Sequence, residues 1–395
     1  MKLTITLVIL FISFLAFGQT TSIPDEYFEQ ELIDLGIDSD ETLNGLILTE
    51  DIINVETLNL INSNISDLSG LQEFSSLKTL IIINASELES IDLTSNTELI
   101  HLEMDLTNIT SLDVTQNTAL VYLNLEQNSL TSIDVSQNIL LEELILGNHT
   151  IDIIPANSYT NIDITQNTLL RHFSCQFCGN IDSIDFSMSP NLEIISVVFS
   201  ELNTIDVSQN TELQYLILGR YEVPDYIFGI SNNLETVDLS NNPDLIEVQM
   251  QNTNIHTLNL KNGDTDNIEV LKADVNPNLN CILVDNEDQA ASGTGNYANW
   301  IYDEEVTSFS DTECVLSVSE NYLQELKVYP NPVTNRLFVQ SNQPLQHLAV
   351  YNLSGQLLRQ SEQSQFINVS SLASGLYIVK LTTLEGIRHF QFIKE

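Results

Sequence analysis

Four cysteines, six histidines and a recurring aspartate are the residues of this chain whose types and spacing could do chemistry. Cys175-Gln176-Phe177-Cys178 has the spacing of a redox pair or of half a zinc site. Zinc needs a second ligand pair, and thioredoxin-like exchange needs a βαβ setting. Neither accompanies it, so a structural role is expected. His101, His149, His172, His256, His347 and His389 show no His-Glu-x-x-His spacing. Gly-x-Ser-x-Gly and the phosphate-cradling glycine loops are absent as well. Asp38-Ser39-Asp40-Glu41-Thr42 has half the oxygen ligands of a calcium loop but lacks its glycine and terminal glutamate, and reads as a solvated acidic loop. Paired carboxylates are too common here to nominate a glycosidase dyad. No catalytic residue, cofactor or metal set is nominated, and an enzyme is not expected.

The aspartates recur at Asp92, Asp113, Asp134, Asp163, Asp185, Asp206 and Asp238. Stacked on adjacent strands they would stand about 4.8 Å apart. Each neighbouring pair would then repel by roughly 0.9 kcal/mol in water, less in salt. Thr94, Thr115, Ser136, Thr165, Ser187, Ser208 and Ser240 lie two residues on and can donate to them. A solvated, hydrogen-bonded column is the expectation, with a calcium-binding stripe as the alternative.

The elements that must position these residues follow from an internal repeat. The phrase Leu-x-x-Leu-x-Leu starts at Val55, Leu77, Leu99, Leu120, Leu141, Leu170, Leu192, Leu213, Leu245 and Ile268. Most steps are 21 to 23 residues; two are longer and carry insertions. A second phrase, such as Leu130-x-x-Ile133-Asp134-Val135-x-x-Asn138, is nested in most units. Alternation turns its apolar pair inward and its Asp outward, so each coil is expected to have two strand-like halves. One coil cannot bury its own apolar side, whereas stacked coils bury a continuous core. The pattern resembles a leucine-rich repeat solenoid of the 21-residue class, and more broadly the secreted leucine-rich repeat proteins of Bacteroidetes. The slot that should hold Asn after the first phrase reads Ser63, Ala85, Thr107, Asn128, His149, Cys178, Ser200, Tyr221, Thr253 and Asn276. The second phrase keeps Asn at 96, 117, 138, 167, 210 and 242. The second phrase is therefore expected to carry the side-chain ladder. Which half forms the concave sheet stays open.

The expected fold is mainly β: about ten coils over 51–285, an N-terminal cap at 19–50 with a helix near Pro24–Leu35, and a C-terminal cap at 286–314. A linker at 315–326 and a small β-sandwich at 327–395 complete the chain. Residues 1–18, with Lys2, an apolar run and Ala16-Phe17-Gly18, read as a secretory signal peptide cut before Gln19. In an exported protein Cys281 and Cys314 are expected to form a disulfide.

The chain holds 55 acids and 12 bases, a formal charge of −43. Nucleic-acid binding and docking by charge on an anionic membrane are both disfavoured. Six of those bases and only three acids lie in 327–395, which marks the tail as a separate unit. Its strand patterns are broken by Pro330-Asn331-Pro332, Ser354-Gly355 and Ser374-Gly375. Val328-Tyr329-Pro330-Asn331-Pro332, Val350-Tyr351-Asn352-Leu353-Ser354-Gly355-Gln356, Leu372-Ala373-Ser374-Gly375-Leu376-Tyr377-Ile378-Val379-Lys380 and Phe392-Ile393-Lys394 resemble the type A C-terminal sorting domain of the type IX secretion system. The resemblance implies that Tyr329, Pro330, Asn331, Pro332, Gly355, Gly375, Tyr377 and Lys394 belong to the sorting signal. It also implies a translocon and a cell-surface sortase as partners, no membrane insertion after signal cleavage, and a mature body that is secreted or held at the outer-membrane surface.

A ligand would meet the face that varies. The second phrase is monotonous, whereas the first places Asn59, Ile81, Glu103, Asn124, Ile145, Ser174, Ser196, Ile217, Gln249 and Lys272 between its inward residues. Tyr122 and Tyr215 flank that face, and the insertions add Tyr159, Tyr221, Tyr226 and Phe228. These six aromatics are the candidate anchors for a protein or glycan partner.

Overall fold

The computed structural model describes residues 18–61, 63–148, 156–179, 181–220, 232–304, 307–314, 327–340, 345–352, 356–362, 364–383 and 386–395. The expected signal peptide up to residue 17, the linker 315–326, His149, Tyr221, Tyr226, Phe228 and Gly355 lie outside these residues. The chain divides into two compact units, 1–314 and 315–395.

In the first unit the first half of every coil supplies one strand. These strands are Thr57–Ile61, Thr79–Ile83, His101–Asp105, Tyr122–Asn124, Glu143–Ile145, His172–Ser174, Ile194–Ser196, Tyr215–Gly219, Glu247–Met250 and Val270–Lys272. They pair in parallel, in chain order, as one ten-stranded sheet. All ten phrase starts but Val55 are fully buried, and Val55 packs on the core. Leu80, Leu102, Leu123, Leu144, Phe173, Ile195, Leu216, Val248 and Leu271 follow them inward. The question of which half forms the continuous sheet is thereby answered: it is the first.

The second half departs from the expected strand. Among the described residues only Thr236–Asp238, Thr257–Asn259, Cys281–Leu283 and Ser308–Ser310 pair there, as a four-stranded parallel sheet at the C-terminal end. Earlier coils are joined by backbone bonds such as Ser129 N–H to Ile109 O (2.9 Å) and by asparagine side chains. Asn117 Nδ2 donates to Leu93 O and Asn96 O at 3.0 and 2.8 Å; Asn138 Nδ2 donates to Val114 O and Asn117 O, both at 2.9 Å. Asn96, Asn167, Asn210 and Asn242 repeat the pattern, and Ser189 takes one turn with a single bond to Asn167 O. Carbonyls captured by amides need no strand partner, so β-type sequence is overridden.

A second ladder runs behind the first phrase, and the two insertion coils displace it. His149 and Tyr221 were the expected slots, but Asn157 and Asn232, beyond the insertions, make the contacts. Asn157 Nδ2 donates to Leu125 O and Leu146 O (2.6 and 2.9 Å), and Asn232 Nδ2 to Val197 O and Leu218 O (2.7 and 2.6 Å). In each case a side-chain amide beyond the insertion fills the slot and reaches both carbonyls. Each insertion leaves just after a glycine against which the next coil is pressed. A Cβ on Gly147 would lie 2.4 Å from Gln176 N and O, and one on Gly219 would lie 2.1 Å from Gln251 O. Gly147→Ala and Gly219→Ala are expected to cost about 1–3 kcal/mol each through overpacking. Urea denaturation checks this; unchanged midpoints would show that the coils separate freely.

Both ends of the core are covered. Helix Glu26–Asp34 buries Phe28 and Leu32, and Phe28 lies 6.3 Å from the ring of Phe74. Asp25 caps this helix through Tyr27 and Phe28 N–H, and its second oxygen accepts from Ser66 N and Oγ and Asp67 N at 2.8–3.0 Å. Burial raises the Asp25 carboxyl, but these donors outweigh it and hold the group below the usual carboxylate range. At the other end Trp300 is buried and its Nε1–H donates to Ile268 O at 3.0 Å. Strand Ser308–Ser310 then pairs with Cys281–Leu283, so the cap extends the sheet it closes.

The tail forms a three-stranded antiparallel sheet (Lys327–Tyr329, Arg336–Gln340, Phe366–Asn368) and a four-stranded one (Leu357–Glu362, His347–Tyr351, Gly375–Thr383, Gly386–Lys394). Leu337, Val339 and Ile367 from one sheet and Leu348, Val350, Val379, Leu381 and Phe392 from the other share one core. This is the expected sandwich, with Phe366–Asn368 as a strand too short to read from sequence.

Candidate functional site

The outward positions of the ten-stranded sheet form registered rows. One runs His101, Tyr122, Glu143, His172, Ile194, Tyr215, Glu247 across seven adjacent strands. Tyr122 and Tyr215 therefore share one face, four strand steps or about 19 Å apart. Tyr122 is half-buried, its ring stacked on His101 at 4.2 Å between centroids. Burial, then the carboxylate of Glu103, push its phenol pKa up, so it stays a neutral donor. Glu103 lies 3.8 Å from His101 Nε2, and Glu143 lies 3.4 Å from His172 Nδ1. Arg171 pairs with Glu193 at 2.7 Å and Lys78 with Glu56 at 2.8 Å along the same sheet. In the neighbouring row Asn124, Ser174 and Ser196 are buried. The face thus offers an aromatic stack, carboxylates and imidazoles on a rigid support.

Tyr159 is a correction. It is fully buried in the core, and its hydroxyl has no hydrogen-bond partner among the described residues. Its coil swings inward after the insertion to seat Asn157, which carries Tyr159 into the apolar interior rather than to a ligand. Glu103 was expected on this face; His101, His172 and Glu143 were not placed there by sequence reasoning, and the signal was their shared position in the phrase.

The aspartate column is hydrogen-bonded through its own turns. Thr94, Thr115, Ser136, Thr165, Ser187, Ser208 and Ser240 each donate a backbone N–H to the preceding Asp Oδ1 at 2.9–3.0 Å. The threonine hydroxyls of 94, 115 and 165 add bonds of 2.6–2.7 Å. The Thr94, Thr115, Ser136, Thr165 and Ser187 hydroxyls, then the backbone bonds, lower the pKa of Asp92, Asp113, Asp134, Asp163 and Asp185 in turn; for Asp206 the backbone bond from Ser208 leads. A carboxyl depressed in the folded state adds stability above its ordinary pKa, near 4, and loses it as pH falls through the folded value. Thermal stability is expected to drop below about pH 4. Asn keeps the turn but does not titrate, so D113N/D134N/D163N should lose less. Parallel melting curves for the two proteins would contradict this. Among the described residues no three His, Cys, Asp or Glu are grouped to hold a metal ion.

Cys175 and Cys178 are both fully buried, as a structural role requires, and they are bonded to each other. Their spacing alone did not give the bond; the left-handed backbone at Phe177 (φ 53°) brings the two Cα atoms to 5.5 Å. Cys281 and Cys314 form the expected disulfide.

In the tail, residues 331–333 and 393–395, which include the expected sorting residues Asn331, Pro332 and Lys394, are folded onto one another. Asn331 Oδ1 accepts from Ile393 N–H (2.9 Å), Val333 N–H donates to Ile393 O (2.8 Å), and Glu395 N–H donates to Val333 O (2.9 Å). Lys394 is buried beside them. Tyr377 donates its hydroxyl to Ala373 O at 2.9 Å and stacks on Phe392.

Residues 327–395 match the family described as secretion system C-terminal sorting domain. An internalin of Listeria monocytogenes is similar in structure to the chain at 15% identity and a TM-score of 0.51, over 75% of this chain and 94% of that one. A leucine-rich repeat protein of Leptospira interrogans is similar at 16% identity and a TM-score of 0.50, over 67% and 70%. No curated protein matches the chain. The first unit is a leucine-rich repeat solenoid, the tail is a type IX sorting domain, and the chain is exported. Among the described residues no helix is long and apolar enough to cross a membrane.

Proposed function

We propose that this exported solenoid is a non-enzymatic recognition protein that binds a protein or glycan partner through its ten-stranded sheet. The supporting observation is the contrast between its two faces. The sheet presents a varied row with half-exposed tyrosines, while the aspartates of the other half are engaged in their own turns. Rigid aromatics beside polar groups are what an interface uses as anchors. In this reading residues 1–18 are removed on export, and the tail engages the type IX translocon and is cut away by a sortase within 315–326. The body then acts at the cell surface or in the medium.

The test is binding of the mature protein to protein and glycan arrays, with calcium and with chelator. Tyr122→Ala with Tyr215→Ala should abolish a hit, and Asp134→Ala with Asp206→Ala should leave it. Loss on Tyr226→Ala with Phe228→Ala instead would move the site to the second insertion. A hit that needs calcium and the aspartates would favour an adhesive protein with a cation-binding face.

A further inference from the structure

The outward face of the tail's three-stranded sheet carries an aromatic row. Tyr329 stands beside Phe338, and Phe338 beside Phe366, in direct cross-strand register. Ring centroids are 5.8 Å apart at both steps. The three side chains are 49%, 37% and 39% exposed, in a domain whose own core is filled by other residues. Arg336 lies over the Phe366 ring at 5.0 Å. The row ends in a cavity at each edge of the sheet. Beyond Tyr329 is one of about 560 Å³, where Lys327, Asn331, Gln340 and Gln391 join Phe390. Beyond Phe366 is one of about 410 Å³, lined by Arg359, Ser361, Ser364, Asn368 and Ser370. Among the described residues no Asp or Glu lines either cavity or the row, in a chain where acids outnumber bases 55 to 12.

We infer that this face binds an acidic polysaccharide, a sugar chain bearing carboxylate or phosphate groups. Sugar rings have apolar C–H faces and hydroxyl edges. A row of aromatic rings receives the faces of successive sugars, and the amides and hydroxyls of the two cavities receive the edges. Lys327, Arg336 and Arg359 supply the charge complement, and arginine is suited to paired contacts with carboxylate or phosphate. The inference concerns the tail and does not depend on what the body binds.

The experiment uses the full-length protein with its tail attached. Its probes are polygalacturonate, phosphate-bearing lipopolysaccharide before and after dephosphorylation, neutral dextran, and poly-glutamate as a polyanion without sugar. Binding to polygalacturonate or lipopolysaccharide is expected, with dextran and poly-glutamate at least about 10-fold weaker. Loss of lipopolysaccharide binding on dephosphorylation identifies phosphate as the group read, and retention identifies carboxylate. Tyr329→Ser with Phe338→Ser should weaken binding about 10-fold or more, as stacking losses do elsewhere. Arg336→Gln with Arg359→Gln should weaken it and flatten its salt dependence. All four side chains lie outside the core, and an unchanged melting curve confirms that each variant folds. Equal binding to poly-glutamate, undiminished binding by the aromatic pair, or no polysaccharide binding at all would overturn the inference. Loss in the variants of an outer-membrane protein, rather than a sugar, would overturn it too.

Discussion

Asn138→Ala is expected to lower the stability of the solenoid by about 1–3 kcal/mol. The Asn138 amide is fully buried and donates to two carbonyls of neighbouring coils, Val114 O and Asn117 O. Alanine removes one donor from each; Val114 O keeps the Asn117 N–H (3.0 Å) and Asn117 O keeps the Leu120 N–H (3.1 Å), so the loss is that of two buried hydrogen bonds, about 0.5–1.5 kcal/mol each. The Asn138 Oδ1 itself has no donor among the described residues, so relief of that atom trims the loss. Asn138→Ser should fall between, because Ser189 already fills an equivalent slot with one bond to Asn167 O at 3.0 Å. Urea denaturation of the three proteins checks the order. Midpoints that do not separate alanine from serine would mean that the ladder does not join the coils.

Removing the Cys281–Cys314 bond by Cys281→Ala with Cys314→Ala is expected to cost about 3–4 kcal/mol, from the chain entropy of the loop it closes. The loss should concentrate at the C-terminal cap. That cap ends the solenoid, and a solenoid end has neighbours on one side only. Trp300 is the sole tryptophan, it is 7% exposed, and it sits inside the closed loop. Its emission should shift to the red at a denaturant concentration below that which unfolds the rest. Emission and backbone signals that move together, at the wild-type midpoint, would show that the bond contributes nothing local.

The sequence made the coils legible because burial is periodic. The ten phrase starts align with ten strands, since Leu and Ile at those spacings have one way to leave water together. The second-phrase ladder was legible for the same reason: Asn recurs in an apolar setting where only a paired amide is tolerated. Four things were not legible. Strand-like second halves gave way because asparagine amides hold their carbonyls. The slots at His149 and Tyr221 moved to Asn157 and Asn232 because an insertion changes spacing without changing the demand for a donor. Tyr159 looked like an exposed anchor on an inserted loop and is core, two residues beyond the buried Asn157. The Cys175–Cys178 bond depended on the backbone turn at Phe177. On the sheet face, position in the phrase marked His101 and His172 as neighbours of Tyr122 and Glu143, but single-residue motifs did not.

The claim beneath both the ladder and the recognition face is that the first half of each coil forms one continuous parallel sheet. Hydrogen–deuterium exchange of the intact protein tests it most directly. Slow amides should recur once per coil, at Leu80, Leu102, Leu123, Leu144, Phe173, Ile195 and Leu216, with the turns at Asp113, Asp134 and Asp185 exchanging faster. Protection gathered into a few long blocks, out of step with the coils, would contradict it.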